Sequence, residues 1–225
     1  MPRSMPHQDP QAQSLSSRDA FRTSASPTLA SLAAQMEQPQ AFDQRWSLYR
    51  QIARQPEAGA VSLLADALGR EKDTGIRYMT ANLLRDAGSR SAEGAAIAAR
   101  AIAKALAPET DAYAQRAMEL SLSDIAAKHP QTAAVAAQAI AAALSKPADA
   151  LATSLRAGQL ADFCATDANI GTKILPAVAE AFAAAPDKLS AHHLSRVLST
   201  IASDATQRPQ VIAVLMQSLT TAPSA

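Results

Sequence analysis

One cysteine, one tryptophan, seven glycines and an aromatic share of 4% make this a chain poor in the residues that build most active sites. A single Cys164 excludes an internal disulfide framework and suits a reducing compartment. Seven glycines form no phosphate-binding loop and no dinucleotide fingerprint, so backbone cradling of a nucleotide is excluded. No GxSxG, HExxH or CxxC occurs, which removes the nucleophile elbow and the paired metal-ligand spacings. No apolar run approaches the ~20 residues needed to span a bilayer. The longest, AAVAAQAIAAAL at Ala133 to Leu144, is too short and carries Gln138. The N-terminus lacks the apolar centre of a secretory signal peptide. Asn-Gly and Asp-Gly hairpin turns are missing and β-branched runs are few, so strands are not expected. Charge of one sign is also missing. The net charge is +1, and three of the 21 basic and two of the 20 acidic residues precede Pro27, so the remainder is balanced. A neutral body with few aromatics argues against affinity driven by nucleic-acid phosphates.

What the chain does have is alanine and leucine in helical order. Apolar residues supply 48%, much of it Ala, which has the best helix propensity and lets helix axes approach closely. The first 26 residues are rich in Ser, Gln and Pro, lack aliphatic periodicity, and read as a disordered tail. From Pro27 to Pro223 helix follows helix. Joints are expected at Pro39, Pro56, Gly88, Pro108, Pro130, Pro147, Gly171, Pro186 and Pro209.

These helices repeat. The segment DTGIRYMTANLLRDAG, Asp73 to Gly88, recurs at a displacement of 38 residues. Leu84 lands on Leu122, Leu160 and Leu198, with Trp46 behind it; Ala87 lands on Ile125, Phe163 and Ile201, with Tyr49 behind it. Gly88 lands on Ala126, Cys164 and Ala202, and Asp73 on Asp111, Asp149 and Asp187. In the preceding helix Leu64 maps to Ile102, Ile140, Val178 and Met216, and Leu68 to Leu106, Leu144 and Phe182. A short acidic residue at the start of each second helix accepts bonds from the free N–H groups of the first turn and faces the positive end of the dipole. The Leu and Ile columns, three apart, form its buried stripe. The expected fold is all-α: a right-handed α-solenoid of about five two-helix units, each burying its apolar face against the next.

The stretch from Glu57 to Gly88 resembles a HEAT repeat. That family pairs an Asp in the inter-helix turn with an Arg four residues on, as Asp73 and Arg77 do here. Later units keep the Asp but carry Gln115, Thr153 and Ala191 in the Arg column, so the array is HEAT-like and divergent. The resemblance implies two antiparallel helices per unit and second helices lining a concave face. On that face the outward positions are Tyr78, Asn82 and Arg85, then Arg116, Glu119 and Ser123, then His192, Arg196 and Ser199. Tyr78, Asn82, Arg85, Arg116, Glu119, His192 and Arg196 are therefore the candidate contacts for a partner, Tyr and Arg being favoured at interfaces. Trp46 and Tyr49 are expected to cap the core at the start of the array.

The remaining polar residues have structural explanations. Cys164 falls in a buried small-residue column, unsuited to a reactive thiolate. His192 and His193 are adjacent and point about 100° apart, so they do not chelate. His129 ends a helix, where a cation suits the dipole. Asp86, Asp124 and Asp162 form a second acidic column, in which Asp86 with Arg90 and Asp124 with Lys128 are expected as surface pairs. The chain is thus expected to be a monomeric, non-enzymatic scaffold without metal or cofactor, binding a protein or peptide, outside the membrane and in the cytoplasm. Two alternatives accompany this. The Ser-, Gln- and Pro-rich leader resembles that of bacterial type III effectors, whose repeat domain would bind a host protein. Some HEAT-like proteins, including a family of bacterial DNA glycosylases, bind nucleic acid through a basic concave face.

Overall fold

The computed structural model describes residues 28–221 except Pro39, Pro147 and the side chains of 218–221. The expected tail over residues 1–26, and the joints at Pro39 and Pro147, lie outside the described residues. Every regular element described is helical, with no strand. In chain order the helices are α1 (Leu29–Met36), α2 (Phe42–Ala53), α3 (Ala58–Arg70), α4 (Thr74–Gly88), α5 (Ala92–Leu106), α6 (Ala112–Lys128), α7 (Ala133–Ala143), α8 (Ala150–Thr166), α9 (Ala168–Ala183), α10 (Lys188–Ser203) and α11 (Arg208–Thr221). A single 3-10 turn, Pro130–Thr132, precedes α7.

The aspartate column starts four of these helices. Asp73, Asp111, Asp149 and Asp187 are the N-caps of α4, α6, α8 and α10. Each carboxylate accepts from the backbone N–H three residues on, Ile76, Ala114, Ala152 and Ser190, at 3.0, 2.9, 2.7 and 2.8 Å. A side chain that satisfies an otherwise orphaned donor sets where each helix begins.

Packing follows parity. The even helices α2, α4 and α6 pack side by side, as do α8 and α10, while the odd helices form an unbroken succession from α1 to α11. Leu84, Leu122, Leu160 and Leu198 are all buried, as are Ala87, Ile125, Phe163 and Ile201. Leu64, Ile102, Ile140 and Val178 form the matching odd-row column. Its fifth member, Met216, is 60% exposed; among the described residues no helix lies beyond α11 in the odd row to cover that position. Trp46 also differs from expectation. Tyr49 is buried, but Trp46 is half-exposed, with the Arg50 guanidinium 5.8 Å from its ring centroid. Gly171 does not mark a joint; it lies inside α9, where an added Cβ would stand 2.7 Å from Gln207 Oε1 and 3.1 Å from Ile201 Cγ1. Asp167 starts α9 instead, accepting from Asn169 N–H. At the end of α4, a Cβ on Gly88 would stand 2.6 Å from Ala98 Cβ, so glycine is what lets α4 and α5 close together.

One even-row junction is different. α6 and α8 lack the close backbone approach of the other even-row neighbours. The 38-residue register explains why. Arg156 occupies the core column that holds Thr80, Met118 and Leu194 elsewhere, and Glu119 the small-residue column of Ala81 and Ala157. Arg156 Nε donates to Glu119 Oε1 at 2.7 Å, Nη1 to the Ala143 carbonyl at 2.9 Å and Nη2 to Gln115 Oε1 at 2.9 Å. Two buried charges thus replace an aliphatic contact and hold the helices apart.

Leu122→Asp is expected to unfold the chain and Leu122→Ala to cost about 3 kcal/mol, against ~1 kcal/mol for Asp149→Ala. Equal, mild shifts in urea melts followed by circular dichroism would contradict the register. Arg156→Met or Glu119→Ala alone leaves a buried charge without its partner and should cost about 3 kcal/mol. The double variant restores both columns and should recover most of that loss in the same melts.

Candidate partner-binding face

Polar chemistry concentrates where odd helices turn into even ones. Glu71 and Glu109 each stand two residues before a capping aspartate. Glu71 Oε1 accepts from the backbone N–H of Lys72 and Asp73, and Glu109 Oε1 from Thr110 and Asp111, at 2.9 and 3.0 Å in both turns. Arg77 closes on Glu109 with two parallel bonds, Nε to Oε2 at 2.7 Å and Nη2 to Oε1 at 3.1 Å. Its Nη1 donates to the Lys72 carbonyl at 2.8 Å and to the Glu71 carbonyl at 3.4 Å. Gln115, in the same column, does the carbonyl part of that work, donating to Glu109 O at 2.7 Å. Lys146 Nζ reaches the carbonyls of Leu106 and Glu109 at 2.5 and 2.8 Å. This chain of groups links turn to turn; its charges are satisfied internally, so it is framework.

Burial alone would raise the Glu109 carboxyl, but the Arg77 bond and the N–H groups of Asp111 and Thr110 outweigh it and hold the group below the usual carboxylate range. Burial pushes the Cys164 thiol up to about 11. Cys164 is free and buried, 7% exposed. His129 caps α6 and its Nε2 lies 3.1 Å from the Ser89 carbonyl oxygen. His192 and His193 meet edge to face at 5.7 Å, and Ser154 Oγ lies 3.3 Å from His193 Nδ1. No salt bridge reaches His193 among the described residues. No group of three or more metal-ligating side chains occurs among the described residues.

The solvent-facing side of the even row is unlike the rest. Large exposed hydrophobic side chains sit on α2 (Phe42), α4 (Tyr78), α6 (Tyr113, Leu120), α8 (Leu151, Leu155) and α10 (Leu189). None occurs on α3, α5, α7 or α9; the others described are Ile212 and Met216 on α11. Tyr113, Leu151 and Leu189 stand two residues after successive capping aspartates and are 82%, 67% and 54% exposed. In α4 this position is Gly75, and the Phe42 ring lies over it, its Cε2 3.9 Å from where a Gly75 Cβ would be. Four apolar groups thus form a line along one edge of the even helices. Tyr113, Arg116 and Leu120 share one side of α6, as Leu151, Leu155 and Gly158 do on α8.

The sequence-derived contacts divide accordingly. Tyr78, His192 and Arg196 are exposed on this side. Asn82 is half-exposed and its Nδ2 donates to the Tyr78 carbonyl. Arg85 is engaged with two carboxylates, Asp86 at 3.0 Å and Asp124 at 3.4 Å, in place of the expected Asp86–Arg90 and Asp124–Lys128 pairs. Arg90 instead reaches the Gln55 carbonyl. Ser123 is half-buried and accepts from Gln159 Nε2 at 2.8 Å. Glu119 is the clear correction: at 2% exposure, paired with Arg156, it is no surface contact. The register that placed it outward also aligns it with Ala81 and Ala157, both buried. The line of Tyr113, Leu151 and Leu189 was missed, although the same 38-residue displacement carries it in the sequence.

Comparison with known proteins gives no match to a family model, a curated protein or a solved structure.

Because the folded Glu109 pKa is depressed, its contribution to stability is present above the unfolded carboxyl value of about 4.3 and disappears as pH falls through the folded value. Glu109→Gln should cost about 2 kcal/mol at pH 7 and flatten the loss of stability below pH ~4.5. Urea melts across pH 3 to 7 check both, and an unchanged acid limb would contradict the assignment. At pH ~8 the folded chain should label Cys164 with iodoacetamide at least about tenfold more slowly than the urea-unfolded chain, whose thiol titrates near 8.5.

Proposed function

We propose that this chain is a divergent HEAT-like α-solenoid of about five two-helix units that acts as a protein–protein interaction scaffold. The even helices take the place of the second helices and present the binding face. One observation carries this proposal: before α11, every large exposed hydrophobic side chain described is on an even helix. A monomer tolerates scattered apolar residues, but a line of them along one face is where a partner gains burial. The internal pairing of the buried Arg77–Glu109 and Arg156–Glu119 charges supports a binding role over a catalytic one. Seven glycines, no ligand triad and a balanced charge give no support to nucleotide, metal or phosphate-backbone recognition. None of the described helices is long and apolar enough to cross a membrane. Delivery as a type III effector is a second proposal, resting on the composition of residues 1–26; secretion that survives their removal would sink it.

The face is tested by affinity capture from lysate with nuclease present, comparing Leu151→Glu and Leu189→Glu with Arg100→Glu on the odd row. All three positions are exposed, so stability should move by no more than about 0.5 kcal/mol. Discrete proteins should be captured by the parent chain and by Arg100→Glu and lost with both even-row variants. Capture that vanishes with nuclease, or is indifferent to the even-row changes, overturns the proposal.

A further inference from the structure

We infer that the occupant of the even face is an acidic amphipathic helix of another protein, seated over α6, α8 and α10. The inference rests on the interaction reading above and adds the chemistry of the partner. Its basis is a charge imbalance beside the apolar line. Arg116 Nη1 is buried yet donates no hydrogen bond, and its nearest carboxylate oxygen, Glu119 Oε2, is 3.7 Å away. That carboxylate is already committed through Oε1 to Arg156 at 2.7 Å. Two guanidinium groups therefore share one carboxylate, and the Arg116 side chain is 33% exposed beside Tyr113 and Leu120. Arg196 lies one unit further along in the column of Asn82, Leu120 and Gly158, is exposed, and forms no salt bridge among the described residues. An incompletely paired cation against apolar surface gains most from a carboxylate that arrives with its own apolar neighbours.

The acids nearby do not cancel this. Asp111, Asp149 and Asp187 are bound to the N–H groups of their own helices and face the positive ends of those dipoles. Asp124 is held by Arg85. Asp162 is exposed on α8 one turn beyond Gly158, on the same side of the helix, and marks the end of the apolar stripe. Between Arg116 on α6 and Arg196 on α10, α8 offers Leu151, Leu155 and Gly158, and a Cβ at Gly158 would meet nothing within 4 Å. The profile is therefore cation, open apolar floor, cation. A helix lying across it presents apolar anchors at i, i+3 and i+7.

The test is selection from a displayed library of roughly 18-residue helical peptides against the full chain, with counter-selection on Gly158→Trp. That substitution fills the floor at a helical position where glycine is unfavourable and space is open, so the variant should fold. Enriched peptides should carry Leu, Phe or Met at helical spacing and a net negative charge. Their affinity should fall about tenfold or more with Arg116→Glu and with Leu151→Ser, and the Arg116→Glu loss should be recovered by Glu→Lys in the peptide. Peptides that map to this face but are neutral or basic overturn the acidic partner while leaving the interaction face standing. Peptides unaffected by Gly158→Trp and Leu151→Ser, or no enrichment at all, overturn the site itself.

Discussion

Burial of the column Leu84, Leu122, Leu160 and Leu198 is the constraint on which the rest of this structure depends. No single helix here can cover such a residue, because its own stripe faces outward from its axis. Each helix is stable only with a neighbour in its row and a neighbour in the other row. Alanine makes this geometry possible, since methyl side chains at Ala81, Ala98, Ala137 and Ala157 let the helices close without large cavities. Met216 shows the constraint from the opposite side: the same kind of residue in the same column is left in solvent where no further described helix follows in the odd row.

Charges enter this apolar frame under strict terms. Glu109 is tolerated because it receives two backbone N–H groups and a bidentate arginine. Glu119 and Arg156 are tolerated because each replaces a core residue facing the other. The consequence of that second exchange is mechanical. Long polar side chains bridge α6 and α8 where backbones approach elsewhere in the even row, so the row is loosest next to its most apolar outer surface. The proposed docking face lies over this junction, where exposed apolar side chains stand beside a cation short of partners.

The helical content and the register of its buried columns were largely legible in the chain itself. A fixed displacement of 38 residues identifies the buried leucines, the capping aspartates and, in hindsight, the exposed line of Tyr113, Leu151 and Leu189. Local rules sufficed for these, since capping and helical periodicity act within a few residues. Gly171 misled because a glycine that permits close helix approach looks, in one dimension, like a helix stop. Glu119 misled for a related reason: a charged residue outside the Leu and Ile columns reads as an outward position, and only the partner 37 residues away reveals that it is buried.

By itself the sequence determined that the chain is helical, where most helices begin, and most of the residues that avoid water. Those outcomes follow from short-range hydrogen bonding and from the cost of exposing aliphatic surface. Only the tertiary structure decided which side of each helix stays uncovered, which arginine owns which carboxylate, and where two helices of one row part company. These depend on residues nearly 40 positions apart meeting in space, and charge pairing over that separation leaves no local trace.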